Sequence, residues 1–203
     1  MVVILLVASY ALMQGRCPDI NPQKNTNDIW VYLGLLEIAG TVFYSRILWI
    51  ELSGLDPHFS TIAYLLAYAM YQIPWQRWGW RRTPWRIAAI ILPLLTVLAT
   101  AYVVSDIGLL GVAAFYIWVS QLRSNFRFTY ISVALIDWVI LHWFDKLNLT
   151  DSLWYTIVVG LSVLYIAQFD PKLKQSEQRQ LRHYLRLIGS GAINFVALFH
   201  HQD

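Results

Sequence analysis

The stretch IPWQRWGWRRTPWR (residues 73–86) interleaves four tryptophans, Trp75, Trp78, Trp80 and Trp85, with four arginines, Arg77, Arg81, Arg82 and Arg86. That mixture suits two settings. Single-stranded nucleic acid stacks its bases on indole rings while guanidinium groups hold its phosphates. A membrane surface takes the same residues, because an indole has an apolar body with one N–H and an arginine reaches anionic headgroups. The flanks decide between them. Residues 59–73 and 87–104 are apolar runs. A connection this short and this close to lipid cannot form a nucleic-acid groove, so nucleic acid is excluded as a partner. The eight side chains are expected to contact lipid headgroups or a partner at that surface.

Composition points the same way. The chain is 58% hydrophobic and 13% charged, where soluble domains carry about 25% charged residues. A chain so poor in charge cannot cover its own surface against water, and hydrocarbon is the solvent that remains. The net charge of +3 then reads as Lys/Arg-rich cytoplasmic connections. The one cysteine, Cys17, permits no internal disulfide. The apolar start MVVILLVASYALM is not preceded by a cation, so it is read as a retained membrane segment and not as a secretory signal. It is short for a span of about 20 residues. Two explanations stay open: a piece of a longer protein, or an N-terminus that begins inside the bilayer.

Eight apolar segments can be drawn, at 1–14, 29–50, 59–73, 87–104, 107–122, 126–144, 153–169 and 185–199. The third and fifth are short enough to be buried or re-entrant. The connections test the count. Connections 15–28, 74–86, 122–127 and 170–186 hold two, four, two and five Lys/Arg, which together make thirteen. The alternate connections and both chain ends hold only Lys146, and Arg46 lies inside segment two. Adding or deleting a crossing would scramble this alternation. Because cations translocate poorly, the rich connections belong on the cytoplasmic side. The expected fold is an all-α, multi-pass transmembrane bundle of about eight segments with both termini outside. The 203 residues form one integral-membrane domain, or a module of a longer protein.

In DPKLKQSEQRQLRHYLR (170–186), Asp170 is expected to cap a helix that starts at Pro171. On that helix Lys172, Arg179, Arg182 and Arg186 share a stripe about 80° wide, as in a basic interfacial helix that contacts anionic lipid or a cytoplasmic partner. Gly189 and Gly191 are expected to mark its bend into the bilayer.

Two acids sit inside apolar segments, Glu37 in WVYLGLLEIAGTVFY and Asp137 in YISVALIDWVILHW. A carboxylate at the bilayer centre costs about 2.5–3.5 kcal/mol on insertion scales, so it is normally paired, hydrated or protonated. Both lie at similar expected depths. They could form a proton or cation relay, which His142 would extend outward. Each could equally bond a neighbouring Tyr, Trp or Ser and fix helix register. Arg46 is placed on the face opposite Glu37 and is expected to snorkel toward headgroups, with Glu51 as a partner.

Lesser signals carry less. Pro93 is expected to kink segment four. Ala63 and Ala67 allow close helix approach. His58 reads as turn chemistry, and Asn148–Thr150 matches a glycosylation acceptor on the outer side. His200 and His201 are too few ligands for a metal site. No nucleotide-binding, hydrolase or zinc-protease motif is present. No catalytic residue, metal or cofactor is therefore expected.

Three stretches carry a resemblance: AYAMYQIPWQRWGW (67–80), ALIDWVILHWF (134–144) and YIAQFDPKLKQSEQRQLRHYLRLIGSG (165–191). Together they resemble uncharacterised polytopic membrane proteins of photosynthetic bacteria, which are longer chains. The resemblance implies an all-helical protein of the plasma (inner) or thylakoid membrane, and it implies no activity. Two functions are expected. In the first the protein is a structural or assembly component that binds membrane lipids, a membrane-protein partner or further copies of itself. In the alternative it is a proton- or cation-coupled small-solute transporter using Glu37 and Asp137.

Overall fold

A computed structural model describes residues 2–16, 26–49, 54–149, 151–171, 173 and 178–200. Among these the protein is all-helical, with eight α-helices and no strand: α1 (Val2–Gln14), α2 (Thr26–Leu48), α3 (Asp56–Gln72), α4 (Arg82–Ala99), α5 (Asp106–Arg123), α6 (Arg127–Lys146), α7 (Ser152–Phe169) and α8 (Arg179–His200). A 3-10 turn, Trp75–Trp78, joins α3 to α4. Each helix overlaps one of the eight expected apolar segments. Of the sequence expectations, those on Cys17, Glu51, Thr150, Lys172 and His201 fall outside the described residues.

Four helices are long and apolar enough to cross a membrane: α2 over Asp28–Leu48, α4, α6 and α7. Their side chains face outward in number. Leu36 on α2 is 69% exposed and Leu98 on α4 is 64% exposed. Apolar surface on that scale is not stable against water. By length and composition these four helices suit a membrane.

The chain divides into two compact units, Met1–Gly108 and Leu109–Asp203. In the first, α1 packs along α2, α3 packs along α4, and α2 also touches α4. Small residues allow these approaches. Gly34 faces α1 so closely that an added Cβ would lie 2.8 Å from Leu12 Cγ and 3.0 Å from the Ala8 carbonyl oxygen. Ala63 and Ala67 are buried on α3, and α4 buries Trp85, Ala89, Pro93 and Val97 at a strict spacing of four. The α4 helix continues through Pro93 from Arg82 to Ala99. Ser105 starts α5 by accepting the Gly108 N–H at 3.1 Å, an ordinary N-cap.

Of the helices in the second unit, α5 carries Leu109, Val112, Tyr116 and Val119, all at 0% exposure. This is the spacing of a single helical stripe. α6 packs on α7, and α7 packs on α8. The α7–α8 crossing is set by two buried glycines. A Cβ on Gly160 would stand 2.6 Å from Ile193 Cγ1 and 3.1 Å from the Gly189 carbonyl oxygen, and one on Gly189 would stand 3.0 Å from the Gly160 carbonyl oxygen. Close backbone approach of this kind is how helices associate in lipid, where apolar burial gives no advantage. Gly160→Leu should therefore force the pair apart and destabilise the unit by about 1–3 kcal/mol. Thermal unfolding in detergent should show it, and an unchanged melting temperature would mean that α8 does not depend on this crossing.

The elbow before α8 differs from the sequence expectation. Asp170 does not begin a helix. It ends α7 as its C-cap, with its backbone N–H donating to the Ile166 carbonyl, while its carboxylate accepts from the Tyr130 hydroxyl. Residues 171 and 173 form turns, and the helix starts at Arg179. That helix then runs through Gly189 and Gly191 without interruption. The glycine at 189 serves the crossing instead of a bend. α8 is amphipathic along its length and is not among the four membrane-length apolar helices.

Candidate functional site

Within each unit the cation-rich connections meet at one end. In the first unit Arg16 donates from Nε to the Trp78 carbonyl at 2.8 Å, Trp80 donates from Nε1 to the Leu12 carbonyl at 2.8 Å, and Arg81 lies 3.6 Å from the Asp28 carboxylate. These contacts place the end of α1, the start of α2 and the 73–81 connection together. In the second unit the Tyr130–Asp170 bond brings the start of α6 to the elbow before α8. Asp145, near the end of α6, accepts from the Tyr155 hydroxyl of α7 at 2.6 Å, so the cation-poor connection lies at the other end of those helices.

The opening tryptophans form a knot at the cationic end of the first unit. Trp75 and Trp85 stack with centroids 3.6 Å apart and planes 7° off parallel. Trp78 and Trp80 meet Trp75 edge-on at 5.8 and 6.0 Å. Trp75 donates from Nε1 to the Met70 carbonyl at 2.7 Å, and Gly79, at φ 84°, makes the sharp turn between Trp78 and Trp80. Burial divides the rings by role. Trp75 and Trp85 are enclosed, whereas Trp78 is 51% exposed and faces outward. The arginines divide too. Arg77 and Arg82 are exposed. Arg86 lies over the Tyr71 ring at 5.0 Å, a cation–π contact, and its Nε is enclosed without an acceptor.

The opposite end of the first unit holds an ion pair. Arg46 donates from Nε to Asp56 Oδ1 at 2.8 Å and from its NH2 group to Oδ2 at 2.6 Å. The same NH2 group donates to the Tyr102 hydroxyl at 2.7 Å. The side chains are 18% and 7% exposed. Arg46 therefore does not snorkel to the headgroups. Its partner is the acid that begins α3, ten residues away, and the pair fastens α2 to α3. A DP turn with an acid at the start of a helix is the one sequence feature that could have pointed to Asp56.

The second unit contains the chemically distinct feature, a groove of about 580 Å³ bordered by α5, α6 and α7. Its walls are largely apolar, with Ile117, Ile136, Ile140, Val158 and Leu161. Asp137 projects into it, eleven residues into the twenty of α6, and accepts from the Ser162 hydroxyl of α7 at 2.6 Å. Hydroxyls line the part toward the cationic end. Ser120 bonds Thr129 at 2.9 Å and the Asn125 carbonyl at 3.1 Å, and Ser132 donates to the Phe128 carbonyl at 3.2 Å. Sequence reasoning singled out Asp137 but missed Ser162, Thr129 and Ser120, whose convergence depends on which helix faces meet. Thr129→Val should remove one of these bonds and cost about 1 kcal/mol, measurable in the same thermal assay.

Glu37 lies on α2 in the first unit, part-buried, and its Oε2 is enclosed without a hydrogen-bond partner. His142 is on α6 with Asp137 and part-buried, five positions further toward the cation-poor end. Five steps of 100° place it well around the helix from Asp137. At the elbow, Arg182 donates from Nε to the Ala167 carbonyl at 3.1 Å, and Arg186 donates to Gln168 Oε1. Both cations close the C-terminal end of α7, where unpaired carbonyls concentrate negative charge. Arg179 is exposed at the start of α8. No protein-family model, curated protein or solved structure matches the chain.

Proposed function

We propose that the protein is a multi-pass integral membrane component with an assembly role, which recognises lipid headgroups and a partner protein at its cationic face. In this reading the eight helices cross or enter the bilayer in sequence, with both termini outside and the arginine-rich connections in the cytoplasm. The observation that carries it is the clustering of those connections at one end within each unit, together with apolar side chains exposed along the helices between the ends. Arg77, Arg82 and Trp78 supply the outward-facing contacts on the first unit, and Arg179 supplies one on the second. The membrane itself is assigned, by the resemblance above, to the plasma or thylakoid class.

The test compares native migration of the protein extracted from its own membrane with that of a variant carrying Arg77→Gln and Arg82→Gln. The assembly role requires the unaltered protein to migrate with a larger complex and the variant to lose that association while keeping its melting temperature. Migration of both as the isolated chain would overturn it.

The acid-bearing groove favours a second reading, coupled transport. Asp137 projects into open space, and Glu37 has an enclosed carboxyl oxygen without a partner. In that case proteoliposome flux should vanish on Glu37→Gln or Asp137→Asn while folding survives. Absence of flux in the unaltered protein across a panel of cations and proton gradients would remove this reading.

A further inference from the structure

We propose that the groove beside Asp137 is a binding site for a single-chain amphiphile carrying a protonated amine, with the ammonium at Asp137 and the chain along α6. The inference does not rest on the assembly role. It rests on which hydrogen-bonding capacity the groove has left.

Five hydroxyls line the groove, and those of Ser120, Thr129, Ser132 and Ser162 spend their protons inside the protein. Ser162 donates to Asp137, and Ser132 donates to the Phe128 carbonyl. Ser120 and Thr129 share one bond while Ser120 also reaches the Asn125 carbonyl. The other donors on the lining, Gln121 and Tyr165, belong to exposed residues. What remains inside is acceptor capacity, from the carboxylate and hydroxyl lone pairs. At Asp137 an occupant must therefore donate. No Lys, Arg or His lines the groove, so nothing compensates an anionic headgroup, whereas Asp137 in apolar surroundings compensates a cation and an ammonium brings three donors.

The shape argues for an extended body. The lining on α6 extends from Thr129 to Ile140, about 16 Å of helix. Its volume of about 580 Å³ falls within the roughly 300–1,000 Å³ of small-molecule sites. Ile136, Ile140 and Leu161 give the walls an affinity for methylene groups. A bare metal ion is a poorer match, since no group of three His, Cys, Asp or Glu side chains converges among the described residues.

The experiment uses the full chain in phosphatidylcholine nanodiscs and two probes with a photoreactive diazirine on the alkyl chain, one a dodecylamine and the other the corresponding dodecanoate. Crosslinks are mapped by mass spectrometry. The amine probe should label the α6 and α7 residues of the groove, and unlabelled dodecylamine should displace it where dodecanol does not. Asp137→Asn should lower that labelling about tenfold or more, and Asp145→Asn, at the end of the helix, should leave it unchanged. A second variant, Ile140→Trp, keeps the acid and fills the groove; it should also abolish labelling. Melting temperatures identify any variant that fails to fold. Equal labelling by both probes, uniform labelling of all lipid-facing helices, or full labelling of a folded Asp137→Asn protein would overturn the proposal. Because the readout is binding to isolated protein, loss of the assembly partner or of transport leaves it unaffected.

Discussion

Asp56→Ala should lower the melting temperature of the detergent-solubilised protein by on the order of 10 °C, from a loss of about 3–5 kcal/mol. Asp56 receives both forks of Arg46 and is 7% exposed. Removing it leaves a guanidinium that is 18% exposed and still donates to the Tyr102 hydroxyl. The cost comes mostly from that stranded charge and not from the lost attraction, because burying two charges is itself expensive. The reciprocal Arg46→Met change should hurt comparably. The double change Arg46→Met, Asp56→Leu should recover most of the loss, since neither charge is then stranded. A double mutant no better than the singles would mean that the pair contributes through packing alone.

The tryptophan knot should respond as sharply. Trp75→Ala removes a ring that is stacked on Trp85 and touched edge-on by Trp78 and Trp80. Its Nε1 also secures the Met70 carbonyl near the end of α3. Truncating a buried aromatic costs about 3–5 kcal/mol, and here the loss should fall on the α3–α4 hairpin. Trp78→Ala, a short distance along the chain but 51% exposed, should change stability by no more than about 0.5 kcal/mol. The comparison is made by thermal unfolding. Equal effects would show that the knot is not a packed unit.

The helices were legible because apolar runs and cationic interruptions are properties of sequence alone. Each of the eight segments met a helix, and the same alternation that suggested the crossing order reappears as connections gathered at one end within each unit. Local grammar failed where a side chain was claimed by a distant partner. Asp170 followed by Pro171 has the form of a helix start, but Tyr130, forty residues earlier, takes the carboxylate. Gly189 has the form of a hinge, yet Gly160 on α7 requires it to be small. Arg46, near the end of its segment, has the form of a snorkelling cation, but Asp56, ten residues on, takes both of its forks. The four tryptophans are alike by type, and only the stack between Trp75 and Trp85 separates the enclosed rings from the outward Trp78.

The candidate site was half legible for the same reason. An acid within an apolar helix stands out in any reading, so Asp137 could be named. Its surroundings could not, because serine and threonine are common in membrane helices and their positions matter only once α6 is known to face α7. Ser162 lies twenty-five residues from Asp137, and no spacing rule connects them.

The central claim is that hydrocarbon solvates this chain and that its cationic connections share one water boundary. Site-directed labelling tests it most directly. In a background with Cys17→Ser, single cysteines replace Gln76, Gln178, His58 and Lys146, all exposed residues, and intact cells are treated with a membrane-impermeant maleimide. His58 and Lys146 positions should react at once, and Gln76 and Gln178 positions only after permeabilisation. Reaction of Gln76 and Gln178 from opposite sides, or recovery of the protein in the soluble fraction, would contradict the account.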